Sequence, residues 1–506
     1  MLHNFIIGLQ TAFAWQSLLF IAIGVAAGIL GGAMPGINAS VSTALLLPFT
    51  YGLEPTHALM LLVGVYIGVQ YGGSIPAILI GTPGTPSAGA TMFDGYPLRQ
   101  QGKAGLALNV SLTASTIGNF VSGLILILVA LPIAKMALSF GPAEYFSLGV
   151  LGLTLIAGLT EKNVTKGLLA GALGLLVSTV GLDQFMGTPR FTFGSLDLAQ
   201  GIDIVPGMMG LFAMGMMLQD FFRPIHLDEV EEKIKLTRLS GGVFKRILPV
   251  SLFSGTLGTI IGALPGAGAA IASYIAYNQV KQFSKNGNDF GTGCVEGVAA
   301  SEASNNGVTG GALIPMLGLG IPGSGTTAVI LGAMIIHGVR PGPNLFISQP
   351  EIPYGIFIAI FIGTVFMYLL GLLYTRLFVK IVTLPQPLLN AGIIAIVLTG
   401  AYAVEMDIFN LYIVLALGVV SFILKQFKVP ITPMVLGMVL GAIVEQSMRR
   451  AVTIAKGDWS TFVTRPISAG LLIAAVVMLA WTLYRSYRTP PAKKTEEAAV
   501  ASTASN

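Results

Sequence analysis

Four Pro-Gly pairs interrupt an otherwise apolar chain: Pro35-Gly36, Pro83-Gly84, Pro265-Gly266 and Pro322-Gly323. Proline lacks the backbone donor a helix needs and crowds the carbonyl one turn back, while glycine adopts backbone angles other residues avoid. Such a pair ends a helix. In lipid every unpaired N–H or C=O costs several kcal/mol, so a break survives there only where protein, water, an ion or a ligand completes it. Small polar residues follow three of the breaks: Asn38, Ser40, Ser42 and Thr43; Thr85, Ser87 and Thr91; Ser324, Thr326 and Thr327. A helix restarting at these positions presents free N–H groups and a partial positive charge, which suits a carboxylate without burying Lys or Arg. Carbonyls freed on the other side of a break suit Na⁺. The candidate substrate site is therefore Pro35, Gly36, Asn38, Ser40, Gly84, Thr85, Ser87, Gly266, Gly323, Ser324 and Thr326.

A second group lies between the last two breaks, in EGVAASEASNN at 296–306. An acid at membrane depth is expensive and usually functional. Glu302 is the candidate for a coupling H⁺ or Na⁺, with Asn306 beside it, and Asn305 and Asn306 are candidates for holding substrate. The competing reading is a wet loop in which Glu302 is merely solvated. Asp94, Arg99 and Arg340 read as charges in topology-setting loops. Gly28 with Gly32, and Gly258 with Gly262, read as small-residue stripes for close helix packing.

These residues need a scaffold that repeats. GILGGAMPG at 28–36 matches GTIIGALPG at 258–266, at a spacing of 230 from Pro35 to Pro265. GGSIPAILIGTPG at 72–84 matches GALIPMLGLGIPG at 311–323, at a spacing of 239 from Pro83 to Pro322. Pro206, Gly210 and Gln219 match Pro433, Gly437 and Gln446 at a spacing of 227. Three matches in one order point to two homologous halves. Transporter repeats of this kind are commonly inverted, with substrate at their interface, and inversion is the expectation here. The fold class is an all-α polytopic membrane protein with broken or re-entrant helices and roughly ten to twelve membrane segments. The expected division is a first repeat at 1–219, a charged cytoplasmic connector at 220–247, a second repeat at 248–448, an extra membrane segment at 449–484 and a polar tail at 485–506.

Composition agrees. Of 506 residues, 54% are hydrophobic and 10% charged, with mean hydropathy +0.81. Too few polar residues remain to cover a soluble surface of this size. The net charge of +5 is dispersed in short loops, which fits cytoplasmic positive-inside loops rather than a nucleic-acid surface. The first apolar run lacks a basic leader and a cleavage site, so it is expected to stay as a membrane segment. The one cysteine, Cys294, reads as a packing residue. Trp459, Trp481 and Tyr484 read as interface anchors. Catalysis is disfavoured: the histidines His3, His57, His226 and His337 are scattered, and GIPGSGTT at 320–327 lacks the Lys of a phosphate loop.

At GGAMPGINAS (31–40), YGGSIPAILIGTPGTPSA (71–88), GALPGAGAA (262–270), EGVAASEASNNGVTGGALIP (296–315) and GLGIPGSGTTAVILGA (318–333) the chain resembles the large membrane subunit of the tripartite tricarboxylate transporters, the TctA family. The resemblance implies a secondary transporter of the bacterial inner membrane without a cofactor. It also implies a partner membrane subunit of about four spans and a periplasmic solute-binding protein, with uptake of small di- or tricarboxylates driven by Na⁺ or H⁺. A standalone carboxylate carrier or channel is the alternative these motifs leave open.

Overall fold

Helices account for most of the computed structural model, which describes residues 2–34, 37–158, 164–183, 185–222, 239–373 and 386–488. Among them the only strand pair is Gly181–Leu182 against Pro189–Arg190. Six helical stretches are long and apolar enough to cross a membrane, and five shorter apolar helices accompany them. Large aliphatic residues such as Leu19, Leu128, Leu369 and Val476 are exposed on the outer helices, the arrangement expected of a lipid-facing surface. The protein is an all-α polytopic membrane protein.

Two central helices carry the rest. Pro55–Gly72 is buried along almost its whole length. So is Val295–Leu319, which contains Glu302, Asn305 and Asn306. The wet-loop reading of this stretch is thereby excluded. Its polar residues hid it among the apolar runs, yet small Gly, Ala and Ser side chains let neighbours close on every side. Asp94 is also corrected. It lies buried in the helix Gly89–Gln100, where Tyr277 and the N–H groups of Gly291, Gly293 and Cys294 donate to its carboxylate.

The packing about the two central helices is reciprocal. Trp15–Ala33 lies on Pro55–Gly72, and Gly241–Gly262 lies on Val295–Leu319. Ala104–Ala137 crosses to Val295–Leu319, and Glu351–Leu373 crosses to Pro55–Gly72. The small-residue stripes make the close contacts. A Cβ on Gly28 would overlap the carbonyl of Val65, and one on Gly32 that of Val69. A Cβ on Gly258 would overlap the carbonyl of Ser304, and one on Gly262 would press on the backbone of Val308. Val65 to Ser304 and Val69 to Val308 are each spaced by 239. The last helices follow suit: Gly437 packs on the carbonyl of Gly171, and Gly210 on that of Val414.

Most of the charged connector (223–238) and the polar tail (489–506) lie outside the described residues, as do Pro35 and Gly36.

Candidate functional site

Breaks in the helices bring separate parts of the chain to one cavity of about 320 Å³. Its walls include Asn38, Ser40, Thr85, Ser87, Gly266, Ser324 and Thr326, the sequence candidates from all four breaks. Local chemistry sets each position. Asn38 caps the helix Ala39–Leu46, its side-chain oxygen accepting from the N–H of Val41 at 2.9 Å. Ser324 caps Gly325–Ile336 in a reciprocal box with Thr327. Gly266 and Gly268 take positive φ, +89° and +67°, so that the chain can turn into the helix Gly268–Phe283. The N–H of Gly266 bonds the carbonyl of Gly323 at 3.0 Å and ties two breaks together.

Two pairs of hydroxyls meet across the cavity: Ser40 lies 3.4 Å from Thr326, and Tyr66 3.4 Å from Ser324. The Thr85 and Ser87 hydroxyls lie 2.9 Å apart. Four helix N-termini converge here, at Asn38–Ser40, Ala267–Ala269, Ser324–Thr326 and Thr432–Pro433. Their dipoles add to a positive potential, and no Lys or Arg stands among the lining residues. The arrangement is chemically fit to hold a small carboxylate by N–H and O–H donors.

The other candidates stand around the cavity. Gly84 and Gly323 are structural joints: a Cβ on Gly84 would overlap the carbonyl of Gly32, and one on Gly323 would press on the carbonyl of Gly262. Asn305 pairs with Gln70, each side-chain amide donating to the other's backbone carbonyl, at 2.8 and 3.2 Å. Asn306 is placed off the cavity. Its oxygen accepts from Asn119 at 3.2 Å and its nitrogen donates to the carbonyl of Glu302 at 3.1 Å. Glu302 is wholly buried, with Thr91 against one carboxyl oxygen and Ser115 donating to the other at 3.1 Å. Glu296 instead pairs with Arg246 at 3.2 Å near the start of its helix. Among the described residues no cluster of metal-ligating side chains occurs.

Tyr66, Gln70 and Thr432 complete the wall and were not singled out in the sequence. Tyr66 lies within an apolar run and Gln70 just past its end, and Thr432 adjoins Pro433 of the third matched pair. A second cavity, of about 330 Å³, lies beside the strand pair. It is lined by Asp197, Asp407 and Glu445, with Arg190 bonded to Glu445 at 2.7 Å, and its acids suit a carboxylate poorly.

The model of the tripartite tricarboxylate transporter TctA family matches residues 18–436. The chain belongs to the TctA family. An uncharacterised 52.8 kDa protein in the TAR-I ttuC' 3' region of Agrobacterium vitis is 37% identical over 97% of each chain. An uncharacterised protein in the TAR-II ttuC' 3' region of the same organism is 37% identical over 46% of this chain and 96% of its own length. No solved structure matches. TctA is a transporter family, so the broken helices and their cavity belong to a solute-moving membrane subunit.

Proposed function

We propose that this TctA-family chain is the large transmembrane subunit of a cation-gradient-driven, binding-protein-dependent importer of small organic carboxylates. The supporting observation is the convergence of four helix N-termini, with the hydroxyls of Ser40, Thr85, Ser87, Ser324 and Thr326, on a cavity without basic residues. Its volume of about 320 Å³ suits a di- or tricarboxylate. A small four-span subunit and a periplasmic binding protein complete the system, and the chain lies in a bacterial inner membrane.

Two homologous halves of inverted topology underlie the mechanism. The amine of Lys166, in the first turn of Val164–Ser178, bonds the carbonyl of Phe427, just past the end of Phe409–Gln426. These helices precede the matched segments that begin at Pro206 and Pro433, so equivalent helices run antiparallel. Lys166, Lys425 and Lys428 gather at that end, which the positive-inside rule assigns to the cytoplasm. The cavity wall includes Pro430, two residues past Lys428, which supports reading this state as inward-facing. Glu302 carries the coupling ion one helical turn from Asn305.

The test is uptake of labelled citrate, succinate and an aromatic acid into vesicles carrying this chain, with and without the small subunit and binding protein. Saturable uptake requiring a cation gradient and both partners is expected. Uptake by this chain alone would favour a standalone carrier or channel. Ser324→Ala should lower uptake with membrane insertion unchanged, and full uptake would remove Ser324 from the site.

A further inference from the structure

The repeat relation can be carried residue by residue into the cavity. The 239 spacing pairs Thr85 with Ser324 and Ser87 with Thr326, and all four line it. The same spacing pairs Tyr66 with Asn305 and Gln70 with Thr309. Here the symmetry fails: all four are almost wholly buried, but Tyr66 and Gln70 belong to the cavity wall and Asn305 and Thr309 do not. The fourth wall fails in the same sense. Thr432, Pro433 and Leu436 line the cavity, while their counterparts at the 227 spacing, Val205, Pro206 and Met209, are buried elsewhere. The cavity is thus a symmetric centre with one asymmetric side.

Asn305 and Thr309 are also incompletely satisfied where they are. The side-chain oxygen of Asn305 and the hydroxyl of Thr309 are buried without a hydrogen-bond partner. Buried polar groups of native proteins rarely stay unpaired, and an exception calls for a reason. Other buried polar atoms, the Ser304 hydroxyl on the same helix among them, also lack a partner, but Asn305 and Thr309 are the ones whose repeat counterparts line the cavity.

We propose that Asn305 and Thr309 are binding residues of the oppositely facing state, in which they meet the substrate or its water shell in place of Tyr66 and Gln70. The inference deepens the transport reading and rests on the inverted repeats behind it. In that state the wall at Thr432–Leu436 closes and the one at Val205–Met209 opens. Thr85, Ser87, Ser324 and Thr326 stay at the centre of the site in both states. Asn305 and Gln70, already bonded to each other across the two central helices, mark where the two alternate wall sets meet.

Labelling tests it without knowledge of the substrate. Cys294, the native cysteine, is replaced by serine, and single cysteines are introduced as Gln70→Cys, Thr309→Cys and Asn305→Cys. A membrane-impermeant maleimide is then applied to right-side-out and inside-out vesicles carrying the assembled system. Gln70→Cys should react from the basic, cytoplasmic face. Thr309→Cys and Asn305→Cys should react from the opposite face. They should do so roughly 10- to 1,000-fold more slowly, since a minor conformer is commonly populated at about 0.1–10%. Reaction of both from the same face as Gln70→Cys would overturn the proposal. So would protection of both from each face in a variant that still transports. Thr309→Ser, which keeps the hydroxyl, should retain uptake that Thr309→Val loses, and equal uptake by the two would count against a binding role. If carboxylates are not the substrate, uptake of all tested acids fails while the two-sided labelling persists, so the two ideas fail separately.

Discussion

In the proposed transporter Glu302 carries the coupling ion, and its surroundings can be read by counting protons. The hydroxyl of Ser301 donates to the carbonyls of Gly297 and Val298, at 3.0 and 3.1 Å. Thr91 lies 3.0 Å from Ser301 and also against the Glu302 carboxyl. Thr91 has one proton. With Ser301 committed to the backbone, that proton fills the Thr91–Ser301 contact, and the Thr91–Glu302 contact needs a proton on Glu302. If Ser301 turns toward Thr91, Thr91 donates to a Glu302 carboxylate instead. Rotation of two hydroxyls thus serves both protonation states. The hydroxyls of Thr91, Ser115 and Ser111 meet the carboxyl, and a network that can donate or accept in turn suits a proton. An imposed pH gradient should therefore drive uptake in reconstituted vesicles, and an imposed Na⁺ gradient alone should not. Glu302→Gln should insert normally and lose the response to the pH gradient. Thr91→Val, which removes a bond worth about 1.5–3 kcal/mol to the charged form, should slow uptake by more than tenfold. Uptake driven by Na⁺ at constant pH would rule out the proton. The acid was legible in the sequence, but its burial and its cage were not, because Thr91 and Ser115 lie on helices far from it in the chain.

At the scale of elements, the glycine stripes bring helix backbones close enough that any side chain intrudes. Gly28→Val and Gly258→Val should each lower the unfolding temperature of the purified protein, since overpacking of this kind costs about 1–3 kcal/mol. Gly470→Ala, on a helix with nothing near its missing Cβ, should be neutral or stabilising. Equal loss in all three would mean the stripes do not set the packing distance. The strand pair offers a second test. The N–H groups of Met186 and Phe185, and then Arg449, hold the Asp183 carboxyl below its usual range. A lowered value means that the ionised form supports this closure at neutral pH and that the support is lost as pH falls through the folded value. Protease cutting near the strand pair should therefore rise only below the ordinary carboxylate range, and Asp183→Asn should show it at neutral pH. Elements set by proline, glycine and apolar runs were readable from the sequence. The helix Val295–Leu319 was not, because a helix sheathed wholly in protein needs small residues rather than apolar ones.

For the whole molecule, inversion is the claim that organises the rest, and orientation tests it. Thr188 and Gly457 stand at the end of the molecule with the Arg190–Glu445 and Arg449–Asp183 ion pairs. Lys428 stands at the other end, beside Phe427 and Lys166. Lys285 follows the helix Gly268–Phe283, which leaves the cavity toward the face where Arg246 pairs with Glu296. Three matched motifs could not fix this arrangement in the sequence alone, since breaks within the helices blur the number of crossings in each half. In the Cys294→Ser background, Lys428→Cys and Lys285→Cys should react with an impermeant maleimide only in inside-out vesicles. Thr188→Cys and Gly457→Cys should react only in right-side-out ones. Two parallel halves would put the links 179–203 and 427–431, which join equivalent helices, on one face of the membrane. Thr188→Cys and Lys428→Cys would then react from the same side. Such a result would leave the cavity in place but remove the symmetry by which its second state is inferred.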